Sequence, residues 1–291
     1  MTPEDRVRAL SCWTGPIGID PLGGGITNRN FVVTDGARRA VVRIGDDIPV
    51  HQILRFNELS ASRAAHAAGV SPAVLHHEPG ALVIDFIEGR TLAAGDLQRR
   101  PVLEQALALV SRAHRDMPRH LRGPVLVFWV FHVCRDYAAT LAQGGSPHLP
   151  LIPALLEEAA RLEQAVGAID LIFGHNDLLP ANFIDDGTRL WLIDWDYAGF
   201  NTPLFDLGGL AANNGLSPAD EAWVLETYFG TAPDAALWRR YRAMKAAAAL
   251  REAMWSMVSE IHSELDFDFA AYTRTNLQTY RAAFAAFEEC L

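Results

Sequence analysis

The residues best suited to chemistry are four polar side chains held between apolar runs, His175, Asp177, Asn182 and Asp194. They follow the pattern His-x-Asp-x-x-x-x-Asn, and the last aspartate ends a short apolar segment. This layout is typical of phosphoryl transfer, in which one aspartate aligns the attacking hydroxyl while an asparagine and a second aspartate hold Mg²⁺ on the nucleotide phosphates. We therefore predict that Asp177 orients an acceptor hydroxyl and accepts its proton, and that Asn182 and Asp194 bind Mg²⁺.

A chance pattern and a metallohydrolase site both compete with this interpretation. A His-x-Asp pair alone arises often by chance in loops, but Asn182 at the matching offset and Asp194 after an apolar segment argue against chance. A metallohydrolase is the rival chemistry, and it would require further histidine or carboxylate ligands at metal-binding spacing. His175 is expected to support its loop through hydrogen bonds rather than to act as an acid or base.

Short strands must position these polar residues. Residues 171–173 are predicted to form a strand that enters the polar segment, and residues 190–193 a second strand that ends at the last aspartate. The Asp-Asp-Gly sequence at 185–187 suits a hairpin turn between them. That arrangement would bring the polar residues to one end of a small sheet, facing one cleft. Residues 198–208 are predicted to form a loop.

The N-terminal part of the sequence predicts a glycine-rich turn next to two short strands. Residues 21–28 contain three consecutive glycines and then Thr27 and Asn28, and β-branched strands are predicted at 30–34 and 39–44. A glycine-rich turn lets backbone N–H groups approach phosphates closely. The turn alone is weak evidence for a nucleotide, because it matches neither the P-loop nor the dinucleotide-binding pattern.

The chain contains a single lysine, Lys245, which lies near the C-terminus. A kinase with this sequence therefore needs another cation to pair with the phosphates. Arg43 ends a predicted strand, and Glu58 lies midway along a helix predicted for residues 50–69. A cation on a strand paired with a glutamate on a helix is the phosphate-orienting pair of protein-kinase-like lobes, so Arg43 and Glu58 are the candidates for that pair.

Length and sequence order predict two domains, because 291 residues are many for a single core. An apolar strand predicted at 81–87 is broken by Glu-Gly-Arg at 88–90. This break indicates a boundary between an N-terminal nucleotide-binding lobe at 1–88 and a catalytic and substrate-binding lobe at 89–291. The His-His-Glu sequence at 76–78 is expected to form a surface turn, because adjacent histidines lack the spacing of metal ligands.

The composition of the chain bears on whether it binds nucleic acid or a membrane, and on the cellular compartment in which it is expected. The formal net charge of −10 argues against nucleic-acid binding, because phosphate backbones require basic surfaces. No apolar stretch approaches the roughly 20 residues of a membrane span, and the N-terminus lacks the apolar region of a signal peptide. Cys12, Cys134 and Cys290 are odd in number and far apart, which predicts no disulfide framework and a reducing, cytoplasmic setting.

Taken together, the sequence resembles the aminoglycoside phosphotransferase / choline kinase superfamily, and within it the choline/ethanolamine kinase branch most of all. The resemblance covers nearly the whole chain. It rests on the segments Gly23-Gly-Gly-Ile-Thr-Asn28, Val42-Arg43-Ile44, Glu58, His175-Asn-Asp-Leu-Leu-Pro-Ala-Asn182, Ile193-Asp-Trp-Asp-Tyr-Ala-Gly199 and residues 255–272.

The resemblance implies an α+β, protein-kinase-like fold with a small antiparallel-sheet N-terminal lobe and a larger, mainly helical C-terminal lobe. It also implies ATP and Mg²⁺ as cofactors. Asp177 is implied as the catalytic base, Arg43 and Glu58 as the phosphate-orienting pair, and Asn182 and Asp194 as the metal ligands. The implied nucleotide contacts, the last three in an adenine-binding hinge, are Gly24, Gly25, Thr27, Asn28, Arg43, Asp85, Phe86 and Ile87.

The resemblance further implies an aromatic, acidic acceptor pocket in the C-terminal lobe. A trimethylammonium group donates no hydrogen bond, so ring faces and nearby carboxylates must hold it. The sequence departs from the family pattern at Leu179, Asn213 and Glu252, and these positions bear on the choice between choline and ethanolamine. The implied acceptor contacts are Asp177, Tyr197, Trp255, Phe267 and Tyr272.

We therefore predict a small-molecule kinase that uses ATP and Mg²⁺ to phosphorylate the hydroxyl of choline or a similar small, cationic amino alcohol. Another kinase of the superfamily, acting on thiamine, an aminoglycoside or an amino acid, is the alternative in the same class. A catalytically silent nucleotide- or choline-binding module is the alternative in a different class. The aromatic C-terminal residues suit aminoglycosides less well, whereas thiamine is cationic and compatible with aromatic rings.

Overall fold

The structure is a computed structural model of the chain, and it describes residues 2–23, 28–263 and 265–290. Within these ranges the chain forms a small N-terminal lobe built on an antiparallel sheet and a larger lobe made mainly of helices. The predicted α+β, two-lobe fold class is therefore confirmed. The described part of the chain has no helix that is both long enough and apolar enough to cross a membrane.

The small lobe contains one antiparallel sheet and two α-helices among its described residues. Its elements are α1 (Pro3–Ala9), β1 (Ile17–Leu22), β2 (Arg29–Asp35), β3 (Arg38–Ile44), α2 (Arg55–Ala67), β4 (Val74–Glu78) and β5 (Ala81–Asp85). The strand order is β1-β2-β3-β5-β4, with every neighbouring pair antiparallel. The turn between β2 and β3 contains Gly36 at φ 61°, a left-handed conformation that glycine adopts without a steric penalty.

Strands β2 and β3 bury alternate residues, as strands with one covered face do. Val33 and Val42 form a small apolar core with Val7 of α1. Helix α2 instead contributes Ala61 and Ala64 to the core of the large lobe. Because these alanines are small, α2 packs closely against the large lobe, and the residues it carries are held at the junction of the lobes.

The large lobe is built from seven α-helices among its described residues. They are α3 (Arg100–Asp116), α4 (Val130–Gln143), α5 (Ile152–Val166), α6 (Pro203–Asn214), α7 (Pro218–Phe229), α8 (Ala235–His262) and α9 (Phe269–Glu288). Helix α8 is 28 residues long, and fifteen of them are buried. A helix with buried residues on several faces lies inside its domain. Helix α8 is therefore the scaffold of this lobe, and side chains along it can reach the junction with the small lobe.

Five short strands complete the described part of the large lobe, and they correct one prediction. They are β6 (Arg90–Thr91), β7 (Ile172–Gly174), β8 (Phe183–Asp185), β9 (Leu190–Leu192) and β10 (Gly199–Asn201). The predicted turn at 185–187 joins β8 to β9, whereas β7 pairs with β10. The predicted hairpin of β7 with β9 was therefore wrong, because a three-residue strand directly after the asparagine of the motif supplies the partner.

Two segments that were predicted to be a loop and a surface turn belong to helices and strands in the structure. Residues 198–208 form β10 and the start of α6, whose Pro203 occupies the first helical turn, where proline is well tolerated. The sequence at 76–78 lies in β4, at the edge of the small-lobe sheet, and His76 contacts Glu78 through Nε2 at 2.8 Å. Edge strands carry polar residues readily, which is why this strand resembled a turn. The predicted domain boundary at 88/89 falls in the connection between β5 and β6.

Candidate active site

Asp177 lies in the loop after β7, and its side chain is 16% exposed. Its Oδ2 accepts a hydrogen bond from Asn182 Nδ2 at 3.3 Å, and its backbone oxygen accepts one from the same nitrogen at 2.8 Å. Burial raises the pKa of Asp177 to about 7, with the charge of Arg251 opposing the rise and that of Glu252 adding to it. An aspartate with a raised pKa is suited to accepting a proton near neutral pH.

His175 supports this loop from the core, as predicted. Its Nδ1 accepts a hydrogen bond from the backbone N–H of Asp177 at 3.3 Å, which leaves Nε2 to donate to the carbonyl oxygen of Ile193 at 2.9 Å. Burial lowers the pKa of His175, so the neutral ring that this arrangement requires is the favoured form. His175 therefore ties the loop of Asp177 to the segment that carries Asp194.

A buried aspartate on α6, Asp206, fixes the backbone of the same loop. Its Oδ2 accepts from the backbone N–H of His175 at 2.8 Å, and its Oδ1 accepts from that of Asn176 at 2.7 Å. Burial opposes its ionisation, but the hydrogen bond and charge of His114 lower the pKa of Asp206. This role was not predicted from the sequence, where the only available signal was an acidic residue within an apolar run.

Two non-glycine residues of the site adopt the left-handed backbone conformation, Asn176 at φ 65° and Asp194 at φ 68°. Such conformations cost of order 1–3 kcal/mol and persist where the surroundings hold them. Asn176 Nδ2 donates to the backbone oxygen of Tyr197 at 2.9 Å, and its Oδ1 accepts from Asn201 at 3.0 Å. The side chain of Asn176 thus fastens the loop of Asp177 to β10 and the segment before it.

Asn182 and Asp194 line a cavity of about 310 Å³ between the lobes, which we call the hinge cavity. The side chain of Asp194 is 40% exposed. Asn182 turns its amide nitrogen toward Asp177, so its Oδ1 is the atom left for a metal ion. Two oxygen donors beside an open cavity suit Mg²⁺, which takes few protein ligands and completes its shell with phosphate and water oxygens. The residues therefore fit the predicted metal ion.

The hinge cavity has apolar walls from both lobes and the predicted adenine contacts at its edge. Asp85, which ends β5, and the next two residues, Phe86 and Ile87, line it. Its apolar walls include Val41, Leu82, Ile84, Ile184 and Ile193. Such a pocket suits a flat heteroaromatic ring. Asn28 also lines the cavity, whereas the predicted contacts Gly24, Gly25 and Thr27 lie outside the described residues.

Five charged residues form a group next to the hinge cavity, which we call the charge cluster. Arg43 contacts Glu58 and Asp196 and lies 3.5 Å from Asp194. Arg55, the first residue of α2, lies 2.8 Å from both Glu58 and Asp196. Burial raises the pKa of Glu58 to about 7, while the charge of Arg43 opposes the rise. The predicted Arg43–Glu58 contact is present, and Arg55 is a second cation that the sequence did not reveal.

The predicted acceptor contacts on the large lobe lie together in one aromatic group. Trp255 Nε1 donates to the Tyr197 hydroxyl at 2.7 Å. The Tyr272 ring meets those of Trp255 and Phe267 edge-on, with centroids 6.3 and 5.8 Å apart. His51 of the small lobe stacks on Trp255, with centroids 5.0 Å apart. The stacked rings of His51 and Trp255 also line a second cavity of about 330 Å³, which we call the aromatic cavity.

Arg251 of α8 connects the aromatic group to Asp177, and it was not predicted. Its guanidinium lies 4.1 Å over the Tyr197 ring, and its Nη1 lies 3.8 Å from Asp177 Oδ1. The same Nη1 donates to Glu252 Oε2 at 3.0 Å, and Glu252 Oε1 accepts from the Tyr272 hydroxyl at 2.8 Å. Arg251 escaped prediction because an Arg-Glu pair within a helix is most often solvated.

The three departures from the family pattern occupy different places. Glu252 and Asn213 line a small cavity beside Asp177, on opposite helices α8 and α6. Leu179 instead precedes the short turn at Pro180–Asn182 and is half-buried. Two of the three departures therefore lie beside Asp177, in the small cavity, and not in the described lining of the hinge cavity.

Most of the chain is similar in sequence to a known protein family and to individual known proteins. A model of the family described as "Phosphotransferase enzyme family" matches residues 18–252. The chain is 27% identical over 282 residues to Protein LicA of Haemophilus influenzae, covering 91% of this chain and 79% of that protein. It is 27% identical over 286 residues to Ethanolamine kinase 2 of Mus musculus, covering 88% of this chain and 73% of that protein.

The fold comparison covers both lobes. A crystal structure of a choline/ethanolamine kinase family protein from Mesorhizobium loti is similar with a TM-score of 0.79 and 28% sequence identity. The match covers 99% of this chain and 97% of that one. The similarity therefore includes the lobe junction, where the hinge cavity and the charge cluster lie.

Proposed function

The chain belongs to the phosphotransferase enzyme family, and we propose that it transfers the γ-phosphoryl group of ATP to the hydroxyl of a small amino alcohol such as choline or ethanolamine. The observation that carries this proposal is the position of Asn182. This residue lines the hinge cavity and also donates a hydrogen bond to Asp177. A nucleotide on one side of Asn182 and an acceptor hydroxyl on the other would meet at Asp177.

On the donor side, adenine occupies the hinge cavity against residues 85–87, and the phosphates point toward Arg43. Glu58 contacts Arg43 and so fixes the direction of its guanidinium. Asn182 and Asp194 would hold Mg²⁺, which supplies neutralisation of the charge on the phosphate oxygens. The chain itself supplies the apolar walls that exclude water from the adenine ring.

On the acceptor side, Asp177 orients the hydroxyl. The acceptor oxygen forms a bond to the γ-phosphorus while the bond from that phosphorus to the bridging oxygen of ADP breaks. The hydroxyl proton passes to Asp177 late in the transfer, so the products are ADP and a phosphate monoester. Alignment and charge neutralisation are sufficient for this reaction, and no covalent enzyme intermediate is required.

The choice of an amino alcohol has two supports. The mouse relative is named an ethanolamine kinase, and the protein from Mesorhizobium loti is described as a member of the choline/ethanolamine kinase family. The aromatic group formed by Tyr197, Trp255, Phe267 and Tyr272 lies next to the carboxylate of Glu252. Ring faces and carboxylates together attract small organic cations.

The test is a turnover panel with choline, ethanolamine, thiamine and kanamycin, each with Mg-ATP, and with products identified by mass spectrometry. We expect ADP and the phosphate ester of choline or ethanolamine, and no ester of thiamine or kanamycin. An ester of thiamine or kanamycin alone would contradict the proposed acceptor class while keeping the kinase chemistry. ATP binding without turnover of any acceptor would instead support the silent module.

A further inference from the structure

Arg251 is a buried cation with more hydrogen-bonding capacity than its neighbours satisfy. Its Nε and Nη2 have no hydrogen-bond partner within the described ranges, and the residue is only 3% exposed. Its remaining nitrogen, Nη1, makes one hydrogen bond, to Glu252. A buried donor without a partner costs roughly 1–3 kcal/mol, and more when it is charged, so an acceptor atom supplied by a bound ligand or by water would stabilise these N–H groups.

The unsatisfied groups belong to a residue beside the proposed catalytic base. Arg251, Asp177 and Glu252 line the same small cavity, and Arg251 Nη1 lies 3.8 Å from Asp177 Oδ1. The cavity thus presents one guanidinium and two carboxylates at short range. Each suits a different chemical group: Asp177 a hydroxyl, Glu252 an ammonium group, and Arg251 an anionic oxygen.

The aromatic faces near this cavity are partly occupied by the protein itself. The Arg251 guanidinium covers one face of Tyr197, and His51 stacks against Trp255. A trimethylammonium group depends on open ring faces, and here it would also meet the like charge of Arg251. An acceptor that carries only a positive charge therefore gains less from this site than one that also carries a carboxylate.

Building on the proposed function, we propose that Arg251 selects acceptors in which a carboxylate accompanies the amine and the hydroxyl, the class of small hydroxy amino acids. In such a molecule a short carbon chain joins the carboxylate to the hydroxyl, and Arg251 Nη1 lies 3.8 Å from Asp177 Oδ1, so one small acceptor can reach both side chains at once. The guanidinium binds the carboxylate through paired N–H groups, and Glu252 takes the ammonium group. The cavity measures about 10 Å³, so its side chains move apart to admit the acceptor.

Two matched pairs of acceptors isolate the carboxylate: ethanolamine with L-serine, and 3-aminopropanol with L-homoserine. The members of each pair differ only by that group. We expect wild-type kcat/KM with Mg-ATP to favour the carboxylate-bearing member of at least one pair by about tenfold or more, the ratio that one charged hydrogen bond provides. Arg251→Met should lower that ratio at least tenfold. Arg239→Met, an exposed arginine on the same helix, should leave it unchanged.

The outcomes separate this inference from the proposed function. Turnover of the carboxylate-free members alone, or a ratio that Arg251→Met does not change, overturns the role of Arg251 and leaves the kinase function standing. Absence of turnover with every acceptor overturns both. If Arg251→Met fails to fold, the inference is tested on the wild-type protein alone. The kcat/KM ratios within each acceptor pair are then combined with the thermal shift that each acceptor produces in the presence of Mg-ADP. A larger stabilisation by serine or homoserine than by its partner supports the inference, and an equal or smaller one contradicts it.

Discussion

The proposed nucleotide side and the proposed acceptor side of the site differ in how their buried charges are paired. In the charge cluster, each arginine contacts at least two carboxylates of the protein. On the acceptor side, Arg251 makes one hydrogen bond, to Glu252, and two of its nitrogens have no partner in the described part of the chain. The arginines of the charge cluster are paired with carboxylates before any ligand binds. Arg251 gains hydrogen-bond partners for its two remaining nitrogens only when a ligand or water binds.

This difference indicates which part of the site serves every acceptor substrate and which part distinguishes one acceptor from another. Charges that are already paired hold their geometry in the absence of substrate, as phosphoryl transfer requires. Charges that await a partner discriminate between ligands, because a ligand lacking the right group leaves them unpaired. We therefore expect substitutions on the nucleotide side to affect every acceptor alike, and substitutions on the acceptor side to change the order of preference.

The largest effect is expected at Asp177, where the two sides meet. Asp177→Asn removes the proposed proton acceptor and should lower kcat about 10³-fold with every acceptor substrate, within the range observed for general acid–base catalysis. Nucleotide affinity should change little, since Asp177 is absent from the described lining of the hinge cavity. Steady-state kinetics and ADP titration measure the two effects, with exposed Asp170→Asn as the control. A tenfold or smaller loss of kcat would contradict the assigned role.

The next largest effect is expected in the charge cluster. Arg43→Met removes one of the two arginines that pair with Glu58 and Asp196, and leaves Arg55 as the other. Removal of one partner from a buried ion pair costs up to about 3–5 kcal/mol, and the remaining arginine should keep the loss toward the lower end of that range. Denaturant unfolding measures this loss directly.

The matched control is Arg39→Met on the same strand. Arg39 pairs with Glu88 at the surface, where an ion pair contributes about 0–1 kcal/mol. Equal losses of stability in the Arg39 and Arg43 variants would show that the cluster is not the pre-organised unit described above.

A smaller effect is expected at His51, which joins the small lobe to the acceptor side. Burial lowers its pKa to about 3 in the folded protein, and the charges of Arg251 and His262 lower it further. The unfolded chain has a histidine pKa of about 6.5, so between pH 7 and 5 it takes up a proton that the folded protein does not. The contribution of His51 to the free energy of unfolding is therefore fully present above pH 6.5 and is lost as the pH falls. At pH 5 the loss amounts to about 2 kcal/mol.

Unfolding free energies at pH 7 and pH 5 test this sign. His51→Gln should lose about 2 kcal/mol less than the wild type over that range, because glutamine does not titrate. His132→Gln, which replaces an exposed histidine, serves as the control and should behave like the wild type. An identical pH dependence in the wild type and His51→Gln would mean that His51 is protonated in the folded protein.

The phosphotransferase class was predictable from the sequence because phosphoryl transfer requires fixed residue types at short spacing. Asp177 and Asn182 lie in one loop and its following turn, and Asp194 follows β9, the second strand after that turn. The Arg43–Glu58 contact was also predictable, because strand β3 and helix α2 follow each other along the chain. The order of residues over a short stretch of sequence was enough to predict both the polar motif and the Arg43–Glu58 contact.

Residues whose partners are distant in the sequence escaped prediction. In the sequence, Arg55 and Arg251 look like ordinary helical residues and Asp206 like a loop residue. Only the packing of α2, α6 and α8 reveals what they contact. The pairing of β7 with β10 escaped for a related reason. Strands of three residues are too short to show a hydrophobic period, so the sequence does not indicate which of them pair.

The most direct test of the account is a crystal structure with Mg²⁺ and a non-hydrolysable ATP analogue. We predict Mg²⁺ about 2.1 Å from oxygens of both Asn182 and Asp194, adenine in the hinge cavity against residues 85–87, and the γ-phosphate facing Asp177. Asp177 should remain free of the metal ion. Metal coordination by Asp177, or a nucleotide in the aromatic cavity beside Trp255, would contradict the division between a nucleotide side and an acceptor side.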